Sequence, residues 1–214
     1  MFNFSTKTIV NKEYKLNDFL KQINASKDVK DDAKCIKNIL FTNVINATTL
    51  NCEEEKNFKN IYVIKIILKE RKIPKLFISE LDKNIAFHTY FILEYENEIF
   101  TMMAYKNIHT KVEVLTNYYF HDFNVTEIID LPTMNSVSDV YKMLLEYETG
   151  IEAKKTETPY DFIVRVGKIN KVSQLITKYS KLVQNEIQPR KKFDYNEKLR
   201  KYKKDLEDLL KVEE

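Results

Sequence analysis

Apolar residues recur along the chain with two different periods, and the changes of period divide it into segments. Leu16, Phe19, Leu20 and Ile23 fit one face of a short helix. Ser26 is placed to cap a second helix, whose stripe Val29, Ala33, Ile36 and Leu40 steps by four, three and four. The β-branched run IYVIKIILK, Ile61–Lys69, predicts a strand. Pro74 suits the first turn of a helix over KLFISELDK that ends near Asn84. FHTYFILEYENEIFTMMAYK, Phe87–Lys106, predicts a hairpin turning at Glu96-Asn97, and KVEVLTNYYF, Lys111–Phe120, a third strand. A last core helix opens at Ser136 or Ser138, buries Val137, Val140, Tyr141, Leu144 and Leu145, and stops at Gly150. From residue 61 the order is β-α-β-β-β-α. That order predicts an α+β fold with a mainly antiparallel sheet and packed helices.

Past residue 150 the pattern changes. KKTETP, Lys154–Pro159, has a linker's composition. Ile169, Val172, Ile176, Tyr179 and Val183 then step by three and four, as do Tyr195, Leu199, Tyr202, Leu206 and Leu209, with QPRKKFDYN as the break between them. Two heptad-like seams joined by a short break predict a C-terminal helical hairpin with coiled-coil-like character. The expected organisation is a core over 1–150, a linker over 151–160 and an arm over 161–214. Three readings of the arm stand: a tail packed on the protein's own core, an arm that serves a partner or a second copy, or an unstable extension.

Composition narrows the options. Thirteen Phe and thirteen Tyr suffice for a sizeable core, whereas two glycines in 214 residues leave the tight turns to Asn and Asp. Two cysteines without CxxC spacing suit a reduced, cytoplasmic setting. No apolar run approaches a membrane span, and the N-terminus carries no signal core, so no membrane role is expected. The net charge of +3 points to no partner, but its distribution is uneven. PRKKFDYNEKLRKYKK, Pro189–Lys204, holds eight basic and two acidic residues. Arg190, Lys191, Lys192, Lys198, Arg200, Lys201, Lys203 and Lys204, interleaved with Phe193, Tyr195 and Tyr202, form a stripe able to hold a phosphate backbone. The bland alternative is a solvated helix pair whose opposite charges set its orientation.

Catalytic chemistry is harder to find. A restriction-type nuclease needs an acid and a lysine two apart on one strand, so that both face one metal and one phosphate. None of the three predicted strand segments through Lys106 carries that spacing. Glu94 and Lys106 do not meet across the hairpin either. With Glu96-Asn97 as the turn, Glu94 lies opposite Ile99, and Lys106 falls opposite Phe87 on the other face. His88, His109 and His121 lack metal-ligand spacing and are expected at surface or half-buried positions. Cys35 falls beside a helical stripe, and Cys52 precedes Glu53-Glu54-Glu55, which opposes thiolate formation. Two glycines leave no phosphate-cradling loop. No metal, cofactor or catalytic residue is predicted.

TIVNKEYKLNDFL, IYVIKIILKE, ISELDKNIAFHTYFILEYENEIFTMMAYK and VLTNYYFHDF, in that order and spacing, resemble the bacterial family known as domain of unknown function 4391 over the first 150 residues. Lys12-Glu13-Tyr14-Lys15 departs from that family's basic–proline–lysine signature by lacking the proline. Lys12, Lys15 and Lys106 fall in its recurrent motif regions without a known role; otherwise they read as surface lysines. Genes of this family often lie beside helicase-like ATPases and DNA methyltransferases in anti-phage clusters. The resemblance therefore implies a non-enzymatic accessory subunit of a restriction-like defence system. It would dock such a partner through Ile169, Val172, Ile176, Tyr179, Val183, Leu199, Tyr202, Leu206 and Leu209. Competing readings are a diverged metal-dependent nuclease using Asp82, Glu94 and Lys106, and a homodimeric scaffold.

Overall fold

A computed structural model describes residues 2–108, 112–123, 129–130 and 134–211. The chain divides into two compact units, Met1–Thr149 and Gly150–Glu214.

The first unit is built on a six-stranded sheet. Its strands are β2 (Ile9–Tyr14), β3 (Ile36–Asn46), β4 (Asn60–Leu68), β5 (His88–Tyr95), β6 (Glu98–Met103) and β9 (Tyr119–Phe123), in the order β2-β3-β4-β5-β6-β9. Neighbours are antiparallel except β4 and β5, a parallel pair connected through α4 (Lys75–Asn84). Two-residue strands complete the unit: β1 (Phe2–Asn3) pairs with β10 (Ile129–Asp130), and β7 (Lys106–Asn107) with β8 (Glu113–Val114). The fold is α+β with a mainly antiparallel sheet, as the pattern predicts.

Alternation along the strands serves two buried faces. Ile64, Ile66, Phe91, Leu93 and Met102 lie in one core with Phe19 of α1 (Leu16–Gln22), Val29 of α2 (Lys27–Asp32) and Phe77, Ile78 and Leu81 of α4. The opposite face turns Tyr90 and Thr101 toward α5 (Val137–Thr149), where both bond to Glu148. The five predicted apolar positions of α5 are all buried.

Helix ends are fixed by named side chains. Ser26 Oγ accepts from Val29 N at 3.4 Å, as expected of the cap of α2. Asp32 Oδ2 accepts from Leu76 N at 2.8 Å and Phe77 N at 3.2 Å, satisfying the first orphan donors of α4. Glu55 does the same for α5, taking Ser138 N at 2.8 Å and Ser138 Oγ at 2.6 Å. The short α3 (Ala47–Leu50) closes through a capping box between Asn46 and Thr49.

Several expectations are corrected. The stripe Val29, Ala33, Ile36, Leu40 is not one helix: α2 ends at Asp32, a 3₁₀ turn spans Ala33–Cys35, and Ile36 opens β3. β2 and β3, the edge strand and its neighbour in the six-stranded sheet, carry no strand signal in the pattern. The third strand is not continuous. Glu113–Val114 and Tyr119–Phe123 are separate strands, and Lys111 lies outside the described residues. Of the four non-glycine residues with positive φ among the described residues, Asn11, Asn24 and Asn51 follow the turn expectation, while the hairpin uses Glu96 at φ 50°.

The second unit is a helical hairpin, α6 (Pro159–Asn185) and α7 (Pro189–Leu210). QPRKKFDYN is not a break: Pro189 opens α7, and only residues 186–188 separate the helices. Thr158 Oγ1 caps α6 by accepting from Asp161 N at 3.1 Å. Arg165 locks the base. It grips Glu157 through Nε at 2.6 Å and Nη2 at 2.8 Å, and donates to the Glu152 carbonyl at 2.7 Å and the Leu209 carbonyl at 3.0 Å. Burial works against Glu157's charge, but these bonds hold its carboxyl below the usual range.

Candidate functional site

The most concentrated polar chemistry of the first unit lies at the C-terminus of α4. Asp82 and Lys106 are fully buried there, with Lys106 Nζ 2.7 Å from Asp82 Oδ1. The ammonium also donates to the carbonyls of Asp82 at 2.9 Å and Ile85 at 3.0 Å, filling its three donor positions at the helix end that favours a cation. Thr89 Oγ1 donates to Asp82 Oδ1, and Tyr118 OH donates to Oδ2 at 2.8 Å. Burial pushes the Lys106 ammonium down and Asp82 opposes it, while burial and Asp82 push the Tyr118 phenol up. Every group in this knot has its bonds made, so it acts as a strut tying α4 to β5, β7 and the Asn117–Tyr118 segment.

The opposite face holds a second buried acid. Glu148 Oε1 accepts from Tyr90 OH at 2.8 Å and Thr101 Oγ1 at 2.5 Å, whereas Oε2 has no hydrogen-bond partner among the described residues. Burial raises this carboxyl to about 7, against the two hydroxyls that lower it. A half-satisfied carboxyl in an apolar layer is most stable carrying its proton. His88 is buried rather than half-exposed, stacked on Phe58 at 4.7 Å and against Tyr141 at 4.2 Å. His121 packs on Tyr147, and His109 lies outside the described residues.

Other expected site residues are placed as follows. Lys12 and Lys15 are exposed, Lys12 lying 4.9 Å from the Tyr14 ring. Lys106 is no surface lysine, because β6 ends at Met103 and the chain leaves the hairpin before reaching it. Glu94 does not join Asp82 and Lys106 but pairs with Lys65 at 2.5 Å. Among the described residues no three His, Cys, Asp or Glu side chains converge as metal ligands. Cys35 is buried in the 3₁₀ turn rather than on a helix, its Sγ donating to the Asp32 carbonyl, and burial raises its thiol.

Two surface features face water. A groove of about 420 Å³ runs between α4 and the segment from Val114 to Phe120. On the hairpin, Arg190, Lys191, Lys192, Lys198, Arg200, Lys201, Lys203 and Lys204 are all exposed. α6 adds a feature that the heptad reading passed over. Between Val166 and Asn185 it carries Lys168, Lys171, Lys178 and Lys181, all exposed, and no acid. At 100° per residue these lysines span an arc of about 140°, with Lys168 bordering the seam at Tyr179 and the other three away from it. Their signal was the absence of Asp and Glu over twenty residues. In the seam, Ile169 is buried, while Val172, Ile176, Tyr179, Val183, Leu199, Tyr202, Leu206 and Leu209 are half-buried. Tyr179 packs on Tyr195 at 6.1 Å and Tyr202 at 5.4 Å, so the seam joins the two helices to each other.

Fold and sites together define an α+β domain that carries a cationic helical hairpin. The chain belongs to the family described as Domain of unknown function (DUF4391), whose model matches residues 2–206. That match runs beyond the first 150 residues into α7, so the hairpin is part of the family's own extent. No curated protein and no solved structure matches the chain. No helix among the described residues is long and apolar enough to cross a membrane.

Proposed function

We propose that this protein is a non-enzymatic accessory subunit that engages the phosphate backbone of nucleic acid through its hairpin. The observation that carries this reading is the charge of the arm. The acid-free lysine face of α6 and the eight exposed cations of α7 lie on neighbouring helices of one hairpin. Such a surface gains affinity by releasing counterions and needs no base contact to do so. In a restriction-like or anti-phage system, as the family resemblance implies, it would work beside a helicase-like ATPase or a DNA methyltransferase. A binding role over a nuclease is supported by the saturated state of the Asp82–Lys106 pair and by the diversion of Glu94 to Lys65. A binding role over a homodimeric scaffold is supported by the contacts that engage Tyr179, Tyr195 and Tyr202 within one hairpin.

The test compares the full chain with a variant carrying Lys168, Lys171, Lys178 and Lys181 each changed to Gln, using fluorescence anisotropy with labelled duplex and single-stranded DNA. These side chains are exposed, so the fold should be unchanged by circular dichroism. Loss of binding by about tenfold or more is expected. Unchanged affinity would remove the arm from the account.

A further inference from the structure

The groove on the first unit has a composition of its own. α4 supplies Lys75, Ser79 and Lys83, spaced by four so that they share one face. The facing wall supplies Thr116, Asn117, Tyr118 and Phe120. Lys75 lies 5.3 Å from the Phe120 ring centroid, and that ring is 38% exposed, an aromatic held at the surface beside a cation. No carboxylate is among the described residues that line the groove, but Glu80 pairs with Lys83 at 2.7 Å and Asp82 accepts from Tyr118 behind the wall. Tyr118 is fixed from behind by its bond to Asp82 and from the side by Ser79, so this wall is preformed.

From these walls we infer that the groove binds a nucleotide unit, its base on the Phe120 ring and its phosphate on Lys75. Lys75, which has no carboxylate partner among the described residues, favours an anion there. A flat exposed ring adds little to binding inorganic phosphate or an aliphatic acid, but a base stacks on it. The amide of Asn117 offers hydrogen bonds to sugar or base edge, while Ser79 and Thr116 already hold Tyr118 and Tyr105 N. The volume suits one small ligand. Lys75 now rests over the ring, and its flexible stem lets the ammonium move to the phosphate as the base takes its place. Lys83, about 12 Å along the helix from Lys75, is engaged by Glu80, so Lys75 carries the phosphate contact. The same chemistry is offered by a free nucleotide and by one residue of a single strand. The inference does not rest on the arm, because none of its residues belongs to the hairpin.

The experiment titrates the full-length protein with AMP, inorganic phosphate and a pentathymidylate, followed by amide NMR. AMP or the pentamer should shift the amides of residues 116–120 and of α4, and the stronger of the two identifies the source. Phe120→Ala should weaken binding of that ligand at least fivefold while leaving phosphate unchanged. Lys75→Gln should weaken the nucleotide and phosphate together. The four-Gln α6 variant should keep these shifts, which separates this site from any binding by the arm. No shift with AMP or the pentamer would overturn the proposal. So would phosphate binding as tightly as AMP with no effect of Phe120→Ala.

Discussion

At the scale of single residues, the surprise is Lys106. A lysine only 1% exposed must lose its hydration, and it is retained here by one carboxylate and two helix-terminal carbonyls. Removing it leaves the buried Asp82 carboxyl bonded only to the hydroxyls of Thr89 and Tyr118. Lys106→Met should therefore cost about 3–5 kcal/mol in urea unfolding, far above the effect of losing a surface lysine. A cost below about 1 kcal/mol would show that the pair is not holding the fold. Lys106 and Asp82 were each visible in the sequence as residues to watch. Their contact was not, because it depends on the strand ending at Met103 and on a 24-residue separation that no periodicity encodes. Glu148 was hidden for a different reason. It occupies a core-facing position of α5, and a helical stripe is read from its apolar members alone. With its folded value at about 7 and an ordinary value of 4.5, the folded state binds the extra proton between those limits. That contribution is fully present below about pH 4.5 and is lost as pH rises through 7. Glu148→Gln should flatten this part of the stability profile, measured as unfolding midpoints from pH 5 to 8. An unchanged slope would contradict the assignment.

At the scale of elements, legibility follows regularity. α4, α5 and the β5–β6 hairpin have one period each and one face each, and their residues could be named from the pattern. β3 fails that test because it is bulged twice, between Ile36 and Asn38 and between Phe41 and Asn43. A bulge inserts a residue and shifts the phase of alternation. Ile36 and Ile39 are thereby brought into the same core three residues apart, a spacing indistinguishable from a helix. β2 was hidden because it is an edge strand, exposed along most of its length and bulged beside Asn11. The hairpin was legible as two seams, but its base was not. Arg165 appears in the sequence as one arginine among four, and only the fold brings Glu152, Glu157 and Leu209 around it. Arg165→Met keeps the stem and removes the guanidinium, leaving Glu157 without its two-pronged partner. A loss of about 2–4 kcal/mol is expected, read as an earlier loss of helical circular dichroism on heating. No change would mean that the hairpin is held by its seam alone.

At the scale of the whole molecule, charge is segregated along the chain even though its sum is only +3. The first unit keeps its strongest ionic contact buried, and the hairpin keeps its cations in water. Surface ion pairs within α7, such as Arg200 with Glu197 at 3.2 Å, neutralise little of that face and are weak in water. Membership of the family fixes neither a reaction nor a partner, so the physical consequence of this distribution is what distinguishes the readings. The most direct measurement is the affinity of the full chain for duplex and single-stranded DNA over a range of salt concentrations. If the hairpin engages four or more phosphates, the logarithm of affinity should fall against the logarithm of salt with a slope of about −3 or steeper on either substrate. Affinity on duplex should then fall roughly a hundredfold or more between about 50 and 200 mM salt. An affinity that hardly moves with salt, or no binding at the lowest salt tested, would contradict a backbone-binding arm.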